Sequence, residues 1–142
     1  MSDSSFLDTN VFVYSFDQGE PAKRARAMEL IARALRTGDG LVSYQVVQEF
    51  LSVALQKFAA PLGLEECRSY LGAVMMPLCR VFPTAELYSK ALHVRGAAGL
   101  AFYDALIVAG AVLAGCSRVL SEDMQDGRVI EGVRIENPFA VR

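Results

Sequence analysis

Short apolar runs alternate along this chain with longer stretches in which apolar residues recur at helical spacing. Phe6-Leu7 reads as a brief buried strand ending at Asp8, and residues 10–16 as a short helical turn stopped by Gly19 and Pro21. Over residues 22–36, Ala25, Met28, Ala32 and Leu35 fall on one side of a helix, which Gly38 and Gly40 close. Residues 41–44 predict a second strand and residues 45–58 a helix carrying Val46, Phe50 and Val53. Pro61 and Gly63 interrupt the pattern, and a further helix starts at Leu64-Glu65-Glu66 and ends near Met76-Pro77. Then come a strand over 78–82, a helix over 85–96, a strongly apolar helix over 102–114 closed by Gly115, a strand over 118–120 and a weak strand over 133–135. Strands separated by helices in this rhythm imply an α/β fold with a mainly parallel sheet.

Composition narrows the class. At 142 residues, 53% hydrophobic and 21% charged, the chain suits one core-forming domain over 1–142, without repeats or linkers. The single histidine, His93, excludes two-histidine acid/base chemistry and a zinc site of the H-E-x-x-H kind. Cys67, Cys79 and Cys116 form no C-x-x-C pair and read as reduced core residues of a cytoplasmic protein. The first residues show no basic and apolar signal pattern. The longest uncharged apolar stretch, 105–116, falls short of the roughly 20 residues a bilayer requires, so no membrane association is expected. A net charge of −2 argues against nucleic-acid binding by bulk electrostatics, but leaves room for an enzyme that engages a single phosphate through a metal.

Ligands of open parallel sheets bind beyond the carboxyl ends of the strands. There the sequence places Asp8-Thr9-Asn10 after strand one and Ser121-Glu122-Asp123, with Asp126 close behind, after strand four. Glu49 lies about one turn into the helix after strand two, and Asp104 in the first turn of the most apolar helix. Each acid has a plainer use: Asp8 in a turn, Glu49 on a solvated helix face, Asp104 as a helix cap, Asp123 in a surface turn with Asp126 and Gly127. Four carboxylates on one edge, however, raise each other's pKa unless a cation joins them. An all-oxygen donor set suits Mg²⁺ or Mn²⁺.

In these residues the chain resembles the PIN domain family. Asp8-Thr9-Asn10 is similar to its opening motif, Glu49 in Val-Val-Gln-Glu-Phe to its second acidic position, Tyr103-Asp104-Ala-Leu-Ile-Val-Ala109 to its third, and Val119-Leu-Ser-Glu-Asp123 to its fourth. Length and layout resemble the VapC-like toxins within that family. The resemblance implies a three-layer α/β/α domain on a five-stranded mainly parallel sheet of order 3-2-1-4-5. It also implies a ribonuclease that uses Mg²⁺ or Mn²⁺ and leaves a 5′-phosphate and a 3′-hydroxyl. Asp8, Glu49, Asp104 and Asp123 would be its catalytic acids and metal ligands. Thr9 and Ser121 would position water or phosphate, Asn10 would tie the loop together, and Asp126 is the second candidate for the fourth acid. Further implications are an RNA substrate, a cognate antitoxin laid across the cleft and a homodimer. The alternatives are an inert PIN-like module that binds RNA or protein, and an aspartate-nucleophile phosphatase. The phosphatase is disfavoured because Asn10 stands where its second Asp would be.

Other features read as structural. Lys23, Arg24, Arg26, Arg33 and Arg36 form either a solvated helix face or an RNA-backbone contact. His93 reads as a packing or surface residue, Glu122 as solvent-facing, and Met75-Met76, Phe50 and Phe58 as core or subunit-contact residues.

Overall fold

The structure is a computed structural model that describes residues 3–141; the ends of the expected domain, Met1, Ser2 and Arg142, lie outside the described residues. The elements run β1 (Ser5–Leu7), α1 (Thr9–Tyr14), α2 (Pro21–Thr37), β2 (Gly40–Ser43), α3 (Tyr44–Gln56), α4 (Leu64–Tyr70), α5 (Met76–Leu78), β3 (Cys79–Val81), α6 (Ala85–Ala98), α7 (Phe102–Leu113), β4 (Arg118–Leu120), β5 (Val129–Ile130) and β6 (Val133–Glu136). A π-helical turn, Leu71–Met75, joins α4 to α5. The expected helix after Gly63 is therefore one bent rod in three pieces. It runs on through Pro77 because proline is tolerated in the first turn of α5.

The sheet order is β3-β2-β1-β4-β6-β5. The first five are parallel, and β6 is the strand expected over 133–135. The sixth, β5, corrects the expectation of five strands. It pairs antiparallel with β6 through Glu131-Gly132, both at positive φ (51° and 82°). Two such residues make the tight hairpin turn whose twist matches its strands. Only two residues long and without Asn-Gly in its turn, β5 leaves almost no trace in the sequence.

Both faces of the sheet are covered, which is why β1 and β2 are buried at every position. On one face α2 approaches so closely that a Cβ on Gly40 would lie 2.5 Å from the Ala34 Cβ and 3.1 Å from Leu7. On the other face Gly110 of α7 sits against Phe6 and Val81. Phe6 and Leu7, adjacent along β1, thus serve the two opposite layers. Beneath α1 an aromatic cluster of Phe12, Phe16, Phe50, Phe58 and Tyr70 locks α3 to α4. Met75 is fully buried, while Met76 is half exposed. The three cysteines are buried and free. Among the described residues no single helix is long and apolar enough to cross a membrane.

Candidate active site

The parallel pairing of β1 with β4 sets Leu7 opposite Leu120, and the Asp8 N–H continues the ladder to the Leu120 carbonyl at 3.0 Å. Asp8 and Ser121 therefore emerge side by side where the strands end. Asp8 caps α1: its Oδ1 accepts from the Thr9 N–H at 2.8 Å, and its Oδ2 accepts from the Ser121 hydroxyl at 2.8 Å. The same buried Ser121 oxygen accepts the Asp123 N–H at 3.2 Å, so one hydroxyl ties two acids together. The Thr9 hydroxyl donates to Glu49 Oε1 at 2.6 Å, and Asn10 Nδ2 donates to Asp123 Oδ2 at 3.2 Å. Asp104, in the first turn of α7, is not the cap of that helix; Ala101 is. Its carboxylate has no hydrogen-bond partner among the described residues.

Asp8, Glu49, Asp104 and Asp123 line one cleft of about 710 Å³. Burial pushes the Asp8 carboxyl up to about 6; hydrogen bonds from Ser121 and Thr9 oppose the rise, and the charges of Glu49 and Asp123 add to it. Asp104 is raised too, first by burial and then by the charges of Asp123 and Glu49. The acids are thus near enough to feel one another, and each would be relieved by a cation between them. The donor set is all oxygen, and Asn10 Oδ1 is buried here without a partner among the described residues. Among the described residues no three Asp, Glu, His or Cys side chains close into a ready-made cage.

Asp126 lies elsewhere. Its carboxylate accepts from the Asn137 N–H at 2.8 Å in a separate pocket lined by Arg26, Arg118 and Arg134. The Thr9 and Ser121 hydroxyls, expected to position water or phosphate, donate to Glu49 and Asp8. Glu122 departs from expectation. It turns to the cleft rim, where its carboxylate pairs with Lys23 Nζ at 2.7 Å and accepts from the Tyr14 hydroxyl. Partial burial would lift this carboxyl, but those two hydrogen bonds and the Lys23 charge outweigh it and hold it low. The basic run on α2 is largely occupied within the chain: Lys23 with Glu122, Arg26 with Glu29, Arg33 with Asp39. His93 is a surface residue 3.4 Å from Glu131.

Sequence reasoning missed several cleft residues: Tyr14, Gln45, Lys57 and Tyr103. Lys57 follows Glu49 by eight residues on the same helical face, a signal that was present in the spacing. Tyr14 comes to the cleft through Glu122, 108 residues away, which no local pattern encodes.

The family model of the PIN domain matches residues 5–128. No curated protein sequence matches the chain significantly. Among solved structures, the chain is similar to a toxin–antitoxin complex from Klebsiella pneumoniae (TM-score 0.71, 17% identity, covering 97% of this chain and 100% of that one). It is also similar to DNA-bound VapBC from Salmonella typhimurium (0.65, 20%, 96% and 98%). A third similar structure is VapC20 of Mycobacterium tuberculosis, described as a sarcin-ricin loop cleaving toxin (0.64, 18%, 84% and 90%). At these identities the likeness shows a shared fold.

Proposed function

Because the chain belongs to the PIN domain family, we propose that it is a metal-dependent endoribonuclease whose acidic centre is Asp8, Glu49, Asp104 and Asp123. One observation carries this reading. Asp104 presents a carboxylate to the cleft, makes no hydrogen bond among the described residues, and has its charge opposed by Glu49 and Asp123. The first turn of α7 favours an acid there, but a carboxylate so opposed gains further from a cation.

Mg²⁺ or Mn²⁺ would be held by these four acids, directly or through water, and when bound would acidify a water near neutral pH and offset charge on phosphoryl oxygens. The chain's own part is to fix the donors in advance. Thr9 N–H and Ser121 hold Asp8, the Thr9 hydroxyl orients Glu49, and Asn10 with Ser121 orients Asp123. Oxygens aimed before substrate arrives need no reorganisation during reaction. Hydrolysis forms a bond between a water oxygen and phosphorus and breaks the bond to the 3′-oxygen. The leaving oxygen takes a proton, giving a 5′-phosphate and a 3′-hydroxyl.

The proposal extends to biology: a cytoplasmic toxin, acting as a homodimer and silenced by an antitoxin whose Arg or Lys would meet the carboxylates. Its support is the likeness to toxin–antitoxin structures, together with an apolar groove beside α2 where Met28 and Leu35 stand 47% and 40% exposed. A partner would cover such a surface.

Incubation with total cellular RNA, with and without EDTA, and mapping of the new ends tests the activity. Metal-dependent cuts bearing 5′-phosphates, lost in Asp104→Asn, are expected. Intact RNA from wild type in Mg²⁺ and in Mn²⁺ would leave the inert-module alternative standing.

A further inference from the structure

The cleft has two ends, and α3 connects them. Gln45, Glu49, Val53 and Lys57 recur every four residues and all line the cleft, as do Gln48 and Ser52. From Glu49 to Lys57 the helix rises about 12 Å. That is far enough to leave the acidic centre and reach a phosphate beyond the scissile one.

At the far end stands Lys57, among the described residues the one lysine without a carboxylate partner. Lys23 pairs with Glu122 and Lys90 with Glu131; among the described residues Lys57 pairs with none, and it is exposed at the end of α3. At the near end stands Tyr103, 66% exposed and lining the same cleft. Its backbone is anchored, and its ring has one aromatic neighbour. The buried Gln45 amide donates to the Tyr103 carbonyl at 3.2 Å, and Phe102 packs edge-on to the ring at 5.5 Å. An aromatic face held open to solvent beside an acidic centre is a stacking platform for an unpaired base. A free ammonium at the other end of an otherwise acidic cleft is a phosphate contact.

We propose that the cleft binds single-stranded RNA across the acidic centre, with one unpaired base stacked on Tyr103 and a backbone phosphate paired with Lys57. This inference rests on the nuclease reading for its substrate. It adds the strand's path and its two anchors, and it excludes a continuous duplex, whose bases are already stacked.

The test measures binding of a labelled single-stranded RNA oligonucleotide in Mg²⁺ at several salt concentrations, in an Asp104→Asn background that prevents cleavage. Lys57→Gln should weaken binding severalfold and reduce the slope of log K against log salt by about 0.7, one phosphate contact's worth on a single strand. Tyr103→Ala should weaken binding by about 10-fold or more with the slope unchanged, while Tyr103→Phe stays near the parent. Both side chains are exposed, so matching melting curves serve as the folding control. In the otherwise native enzyme each loss should appear in KM rather than kcat. Parental affinity and slope in Lys57→Gln and Tyr103→Ala would overturn the inference, as would tighter binding of duplex RNA. A basic partner peptide as the cleft's true occupant would give that same unchanged RNA binding. Should wild type fail to cleave RNA while the binding pattern holds, the nuclease reading falls and the binding path stands.

Discussion

Asp8→Asn should make the metal-free protein more stable at neutral pH. The cause is the cost of keeping this buried carboxylate charged: Asp8 is 7% exposed and its carboxyl is pushed from 3.8 up to about 6. A rise of about two units corresponds to about 3 kcal/mol of native-state penalty above pH 6. Asparagine removes the charge but keeps only one acceptor oxygen where Asp8 uses two, for Thr9 N–H and Ser121. Rebuilding the Ser121 bond costs about 1 kcal/mol, leaving a net gain of about 2 kcal/mol, or roughly 5–10 °C in Tm. The sign follows from proton binding. The folded state holds the Asp8 proton to a higher pH than the unfolded chain does, so this group's contribution falls as pH rises from about 4 to about 6. Thermal melts of both proteins in EDTA, from pH 4 to 8, isolate the effect as a difference. The variant's advantage should be largest above pH 6, shrink as pH falls, and give way to a small deficit near pH 4, where only the weakened Ser121 bond remains. An Asp8→Asn protein less stable than wild type at pH 7.5, or a difference flat across that range, would refute the electrostatic account of the cleft.

Millimolar Mg²⁺ or Mn²⁺ should raise the wild-type Tm, by an amount equivalent to about 1–3 kcal/mol if the ion is ten- to a hundredfold above its Kd; Asp104→Asn should lose most of the response, and a flat wild-type melt would count against the centre. Gly40→Ala should destabilise by about 1–3 kcal/mol in urea titrations, because the new Cβ meets Ala34 Cβ at 2.5 Å and α2 must shift. Glu122→Gln should cost under about 1 kcal/mol at pH 7, a rim ion pair being worth little. Since the Glu122 carboxyl is held low, that stability is present above the ordinary glutamate range and lost as pH falls through the folded value; melts at pH 7 and in acid check the direction.

Most of the fold was legible because its period changes are plain: buried strand tips followed by helices with one apolar face. Asp8 and Asp104 were legible because each stands next to an apolar run, where an acid needs a reason. What the sequence withheld depends on pairs distant along the chain. Ser121 and Thr9 offered hydroxyls with no sign of the acids they would meet. Glu122 looked solvent-facing until Lys23, 99 residues away, closed on it. Spacing from the fourth strand favoured Asp123 over Asp126, and Asp123 is the one that lines the cleft, whereas β5 was too short to announce itself.

The shared edge of β1 and β4 has a consequence for synthesis. Asp8 leaves the ribosome well ahead of its Ser121 and Leu120 partners, which come 113 and 112 residues later. Chains emerge from the N-terminus onward. A nascent chain halted before residue 118 has no fourth wall to its cleft, and an early stop codon yields none either. If the mature molecule cuts RNA, its unfinished copies pass through the translation machinery unarmed, since β4, made long after β1, completes the blade.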